Sequence, residues 1–278
     1  MPGGDRPLGV VIHLHGLEAE AEAGHMRGIS RLAHHAGFAS LRLDWLGCGA
    51  SAAYGGRMYN AIRWQDIEAA VGWVSRRLPG RPVYLTGLSL GGAMALRWLA
   101  HLGTAARFLV RGAVTISAPI DLGAAASALG DRKNRVYERW FLASMKKRLA
   151  AAAARDPARW KPWSDKGRAA RSLAEFDSVV TAPMAGQPDA AAYYARASVK
   201  GDLADIRVPT VLLHAEDDPF VPAPQGLSEQ ITTLIQPAGG HGGFWTAGPV
   251  DFGHGIVTDR WAEGAAIRIL LGWAASDT

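Results

Sequence analysis

One cysteine, Cys48, stands in the whole chain of 278 residues. A lone thiol can close no internal disulfide, and no Cys-x-x-Cys metal site exists. Also missing is any run approaching the ~20 apolar residues that a membrane-spanning helix requires. Met1-Pro2-Gly3-Gly4-Asp5 contains no basic region leading into a long apolar stretch, so it does not read as a secretory signal. A cytoplasmic protein is the default expectation. There is no Pro/Ser-rich linker, no low-complexity tract and no internal repeat. Charge of one sign is nowhere concentrated: a net +5 arises from 30 Lys and Arg against 25 Asp and Glu. Its densest cluster, Lys146-Lys147-Arg148, is short for a nucleic-acid patch. The basic residues read as a solvated surface, and no nucleic-acid partner is expected.

What remains is the balance of an ordinary globular protein, 49% hydrophobic and 20% charged, which argues against disorder. Short leucine-rich or β-branched runs alternate with longer amphipathic segments, the pattern of a mostly parallel sheet covered by helices. Strands are expected at 9–14, 38–43, 81–86, 112–117, 208–214 and 231–236. Helices are expected at 24–36, 60–78, 90–102 and 260–273. In 60–78, Trp64, Ile67, Val71, Val74 and Leu78 share one face, and Pro79-Gly80 stops the helix. Between about Pro119 and Lys200 strand character disappears. There, 134–154 carries Val136, Tyr137, Trp140, Phe141 and Met145 on one side and Lys146, Lys147 and Arg148 mostly opposite; 173–180 and 190–197 read as further helices. The simplest architecture is one α/β core interrupted by a helical insertion.

Gly87-Leu88-Ser89-Leu90-Gly91 matches Gly-x-Ser-x-Gly between an expected strand and an expected helix. A serine on such a turn has a strained backbone, small neighbours and the amides of a helix N-terminus beside it. The competing reading is a small-residue helix start with a capping serine. A serine hydroxyl needs a base to accept its proton. His241, within Gly239-Gly240-His241-Gly242-Gly243, is the candidate because flanking glycines keep a loop open to substrate. His254 is the runner-up; His101, His34, His35 and His15 read as structural or surface residues. The base needs a carboxylate to orient it. Asp218, just past the strand 208–214, is preferred, and its neighbour Asp217 could instead hold the loop. Backbone donors for an oxyanion are expected from Leu90, directly after the serine, and Leu17, in the turn after the first strand.

Other constellations fail on their neighbours. His13-x-His15 is followed by Leu17 and Glu18 where a metallo-hydrolase would place Asp and His. Gly91-Gly92 is followed by Ala93-Met94, so no phosphate loop forms. Gly47-Cys48-Gly49 leads into Ala53-Tyr54-Gly55-Gly56, a loop where a dinucleotide fingerprint must open a helix. Cys48 reads as a small turn residue. No metal or cofactor is called for.

Taken together, His15 to Glu18, His25 to Gly28, Gly37-Phe38, Asp44 to Ser51, Gly87 to Gly92, Pro119 to Leu122, Asn134 to Tyr137, Phe176-Asp177, Tyr193-Tyr194, Asp217 to Pro219 and Gly239 to Phe244 resemble the YheT-like branch of the α/β-hydrolases, related to the ABHD-type lipid esterases. The resemblance covers nearly the whole chain. It implies one α/β-hydrolase domain over 1–278 with a helical cap at about 119–200, and a carboxylic-ester hydrolase working through Ser89, Asp218 and His241. The order Ser…Asp…His is that of this fold. The family's chains usually carry two further N-terminal strands, and this one starts at what matches the third; either those strands are dispensable or the beginning is missing. Trp140, Phe141, Met145, Phe176, Tyr193 and Tyr194 would line an acyl pocket or form the cap core. The expected substrate is a small-molecule or lipid ester. A lipase or phospholipase with peripheral membrane contact, and a catalytically silent binding protein, are the alternatives.

Overall fold

The computed structural model describes residues 7–54, 56–224 and 230–276; Met1 to Asp5 and Gly55, both considered above, lie outside them. The chain opens with β1 (Val10–Leu14), α1 (Gly24–His35), β2 (Ala39–Leu43), α2 (Gln65–Arg77), β3 (Val83–Leu88), α3 (Leu90–Leu102) and β4 (Gly112–Ile116). Six helices follow: α4 (Leu122–Leu129), α5 (Arg135–Arg155), α6 (Pro157–Ala169), α7 (Leu173–Phe176), α8 (Ala182–Met184) and α9 (Ala190–Ala197). The chain then returns through β5 (Thr210–Ala215), β6 (Ile231–Gln236), β7 (Trp245–Asp251), β8 (Val257–Arg260) and α10 (Trp261–Ser276).

β1 to β6 form one sheet in the order β2-β1-β3-β4-β5-β6, with every neighbouring pair parallel. The inner strands β1, β4 and β5 are buried along their whole length, as helices on both faces of a parallel sheet require. On one face Ile12, Leu85, Val71, Met94 and Leu96 belong to a single apolar core, and on the other Val11, Tyr84, Val114, Ile267 and Leu270 form a second. After β2 the chain crosses back over β1 to lay down β3, so the winding reverses between β1 and β3. The crevice beyond the carboxyl ends of two such strands is where open α/β sheets bind ligands. His15 and Ser89 stand at those two ends.

Local differences from the sequence expectations have identifiable causes. Helix α2 starts at Gln65 rather than Asn60. Asn60 uses its own side chain and carbonyl to accept from Ile62 N and Arg63 N, a local turn that competes with helix. Residues 49–54, expected as loop, make a 3₁₀ helix, whose approach is fixed by Asp44 accepting from Ala50 N and Ser51 from Gly47 N. The expected helix over 173–180 ends in a π turn, Asp177–Thr181. Helix α6 was not anticipated, although Asp156 caps it and Pro157 begins it, a start signal readable in the sequence. The antiparallel pair β7–β8 was also unforeseen. It is mostly exposed, so it lacks the alternation that marks a half-buried strand.

The largest correction concerns α5. Its buried positions are Leu142, Met145, Leu149 and Ala152, spaced three and four apart as one helical face. Val136, Tyr137 and Trp140 are exposed. Arg148, expected on the solvent side, instead points inward and forms an ion pair with Glu18.

Candidate functional site

The serine turn is built by close backbone approach. A Cβ placed on Gly87 would lie 2.6 Å from Gly92 Cα, and one on Gly91 would lie 2.5 Å from both Leu14 O and His15 O. No side chain fits at either place, which lets β3 turn sharply into α3 against the end of β1. Ser89 itself adopts φ 52° and ψ −123°, a region that costs a non-glycine residue about 1–3 kcal/mol. Its amide donates to Ile116 O at 2.8 Å, so β4 holds the strained residue in place.

The loop after β6 brings His241 to this turn. His241 Nε2 lies 2.9 Å from Ser89 Oγ, and His241 Nδ1 lies 2.9 Å from Asp218 Oδ2. The imidazole therefore spans the hydroxyl and the carboxylate. Asp218 is buried, its side chain 1% exposed, and a buried carboxylate needs compensating partners. Its Oδ1 accepts from Phe220 N at 3.1 Å and Val221 N at 2.9 Å, leaving Oδ2 for the imidazole. Asp217 bonds elsewhere, its Oδ1 accepting from Gly239 N and Gly240 N, both at 2.8 Å. One acid of the pair touches the ring; its neighbour ties down the loop that carries the ring. Ser117 adds a third support, its Oγ accepting from Gly242 N at 3.1 Å.

The remaining histidines go elsewhere. His254 is exposed between β7 and β8. His101 stacks on Trp64 with ring centroids 4.4 Å apart, and His34 and His35 are exposed on α1. His13 is buried between Thr86 Oγ1 at 2.7 Å and Ser40 Oγ at 3.2 Å. Buried His15 bonds Gly16 O at 2.8 Å, shaping the turn after β1. Burial pushes His214, on β5 behind Asp218, down to about 4, so it carries no charge near the dyad at neutral pH.

The turn after β1 presses on the serine: a Cβ on Gly16 would stand 3.2 Å from Ser89 Cβ. Leu17 and Leu90 both line the cavity that opens over Ser89. That cavity encloses about 990 Å³ of empty space including its mouth. Phe141, Met145, Phe176, Tyr193 and Tyr194 line it; Trp140 does not. Its walls are largely apolar, and two of the lining residues are an acid and a base. Arg148 is the base. Asp177 is the acid, its Oδ2 accepting from Tyr194 OH at 2.7 Å, and burial pushes its carboxyl up to about 6. Cys48 lies behind Arg148, 3.2 Å from its Nη1, with its thiol pushed up to about 12 by burial.

Sequence reasoning missed Phe220, whose ring centroid lies 4.1 Å from that of His241, and the inward turn of Arg148. The second was readable in principle. Consecutive helical residues differ by about 100° in direction, so Lys146, Lys147 and Arg148 cannot all share a solvent face.

A family model described as the alpha/beta hydrolase fold matches residues 9–247. The Escherichia coli (strain K12) protein YheT, provisionally named an esterase, is 30% identical over 239 residues, covering 84% of this chain and 70% of that protein. The monoacylglycerol lipase of Saccharomyces cerevisiae is 29% identical over 248 residues, 85% of this chain and 55% of that protein. Mouse phospholipase ABHD3 is 25% identical over 242 residues, 84% of this chain and 58% of that protein. The chain thus spans little more than half the length of the last two. Among solved structures, Est1E from Butyrivibrio proteoclasticus, bound to ferulic acid, superposes with a TM-score of 0.60 at 17% identity over 99% of this chain and 93% of that one. At that identity the likeness is one of fold.

Proposed function

The chain belongs to the α/β-hydrolase fold family, in its YheT-like branch, and from that premise we propose that it is a serine hydrolase of carboxylic esters. The observation that carries the reading is the single imidazole held 2.9 Å from a serine hydroxyl on one side and 2.9 Å from a buried carboxylate on the other. A hydroxyl so placed can pass its proton to a base as it attacks.

In the proposed reaction His241 Nε2 takes the proton of Ser89 Oγ as that oxygen bonds to the ester carbonyl carbon. Asp218 keeps Nδ1 protonated and stabilises the imidazolium. The amides of Leu17 and Leu90 receive the negative charge on the carbonyl oxygen. Collapse of the tetrahedral species breaks the bond to the alkoxy oxygen, which leaves with the proton from His241 and yields an acyl-serine. Water then repeats the sequence: His241 removes its proton, the hydroxide oxygen attacks the acyl carbon, and Ser89 Oγ departs with the proton. The acid is released and the hydroxyl restored.

The helices between β4 and β5 act in this reading as a cap, at about 119–200, and the apolar lining of the cavity suits an aliphatic or aromatic acyl group. The names of the esterase and lipase relatives agree with this chemistry. The test is labelling with a fluorophosphonate together with turnover of nitrophenyl esters of graded chain length. Wild-type protein should form a Ser89 adduct and release nitrophenol, and Ser89→Ala should do neither. Absence of an adduct from wild-type protein, or esterase activity surviving in Ser89→Ala, would overturn the assignment.

A further inference from the structure

Three large apolar side chains at the start of α5 lie in solvent: Val136 at 78% exposure, Tyr137 at 48% and Trp140 at 58%. Trp140 stands three residues from Tyr137 and four from Val136, so it is the surface neighbour of both on one side of the helix. Clustered exposure of this kind on a folded domain marks an interaction surface. The same stretch carries exposed Arg135 and Arg139 on the helix and exposed Arg132 and Lys133 in the turn before it. None of the four cations has an ion-pair partner among the described residues. Glu138 is turned inward, accepting from Leu173 N at 3.1 Å, which leaves Asp131 as the one exposed acid of this stretch.

The patch also adjoins the cavity. Trp140 packs edge-on against Phe141 with ring centroids 5.0 Å apart, and Tyr137 lies 5.6 Å from the ring of Phe220. Phe141 and Phe220 both line the cavity over Ser89, and Phe220 in turn touches the His241 ring. The exposed aromatics are thus the outer layer of the wall whose inner layer faces the reacting groups.

We infer that the start of α5 is a docking surface for an anionic lipid interface, presenting the cavity to lipid esters held in a bilayer. Aromatic side chains with one apolar and one polar end favour the headgroup boundary. Neighbouring Arg and Lys add attraction to anionic headgroups. A second copy of this chain fits the patch poorly, because a two-fold contact would set its unpaired cations against their own images. Docking itself needs no chemistry; that the docked lipid is the substrate rests on the ester-hydrolase reading.

The experiment uses flotation of Ser89→Ala protein, so that no lipid is consumed, with vesicles of phosphatidylcholine alone or with about a third phosphatidylglycerol. Binding should favour the anionic vesicles at least about tenfold and weaken as salt screens the headgroups. Arg135→Glu with Arg139→Glu should lose about tenfold or more, and so should Trp140→Ala, with unchanged melting temperatures reporting intact folds. Arg135→Glu/Arg139→Glu in the Ser89 background should still hydrolyse a dissolved short-chain ester like wild type. Equal binding to both vesicles, absence of vesicle binding, or variants that bind like the parent would overturn the docking inference. Self-association removed by the same substitutions without vesicle binding would overturn it in favour of a second copy. Failure of wild-type protein to hydrolyse the dissolved ester would strike the ester reading alone, since flotation does not depend on it.

Discussion

Arg148 of α5 forms an ion pair with Glu18, 130 residues earlier in the loop after β1. Glu18 is 3% exposed at its side chain, and it also accepts from Ser144 Oγ at 2.7 Å and Tyr59 OH at 3.4 Å. The Arg148 guanidinium lies over the Tyr59 ring, 4.5 Å from its centroid. Glu18 follows Leu17 directly, so this cluster joins the helical insertion to the loop proposed to supply an oxyanion donor. Removing one member of a buried pair strands the other charge, which typically costs about 3–5 kcal/mol. Glu18→Ala should therefore lower unfolding free energy by about 3 kcal/mol in urea titration, and Arg148→Met, which keeps the apolar stem but strands the more deeply buried carboxylate, should cost a similar amount. Two equal losses under about 0.5 kcal/mol would show that the pair supports nothing.

Asp217 and Asp218 are adjacent but answer to different partners, so their amides should behave differently. Asn at 218 can present an N–H to His241 and disturb its tautomer, an effect worth about 10⁴ in kcat where it has been studied in a serine protease. Asn at 217 retains a carbonyl oxygen for Gly239 N and Gly240 N, and a loss below about tenfold is expected. Steady-state hydrolysis of a nitrophenyl ester by the two variants decides the matter. The opposite ranking would move the orienting role to Asp217.

Ser89 stands at φ 52°, where glycine is unstrained. Ser89→Gly should abolish turnover and yet raise stability. Relief of about 1–3 kcal/mol of strain is offset by the greater freedom of glycine in the unfolded chain, about 0.5–1 kcal/mol, so a net gain near 1 kcal/mol is expected. Calorimetry should record a melting temperature higher by about 2 °C. A lower one would mean that the turn is not strained.

Glu263 on α10 gives a pH signature. Burial pushes its carboxyl up to about 7, opposed by the ion pair with Arg260 at 3.0 Å, and its Oε2 has no partner among the described residues. The folded protein thus holds this proton more tightly than the unfolded chain does. The associated stability is fully present below pH about 4.5, the unfolded value, and is lost as pH rises through about 7. Glu263→Gln should accordingly match wild type near pH 4.5 and exceed it by on the order of 2 kcal/mol near pH 8. Denaturant midpoints across this range measure the divergence, and parallel curves would contradict the assignment.

How far the sequence could be read depended on the kind of signal each region carries. The sheet core was legible because β1, β3, β4 and β5 are short apolar runs bounded by Gly, Pro or Asp, and that shortness and punctuation separate a buried strand from a buried helix. Ser89 and His241 were legible because Gly87, Gly91, Gly239 and Gly242 mark places where backbone must come close or turn. Gly242 shows the cause, since a Cβ there would meet Leu88 Cδ1 at 2.7 Å. The strands β7 and β8 were not, because their neighbours are solvent and each other. Helix α5 misled because three of its large apolar residues, Val136, Tyr137 and Trp140, are ones the fold leaves outside. Packing into one cluster with Trp160 of α6 and Leu173 and Phe176 of α7 selects Leu142, Met145 and Leu149 instead, and that choice depends on partner helices.

The serine turn and the imidazole that stands against it are separated by 152 residues. A nascent chain emerging from a ribosome displays the strand and turn around Ser89 long before Asp218 and His241 have been synthesised. Chains are commonly made at about 5–20 residues per second, so the hydroxyl stands for about 8–30 s without the imidazole beside it. On the proposed reading the hydroxyl therefore gains its base only after 152 further residues have been made.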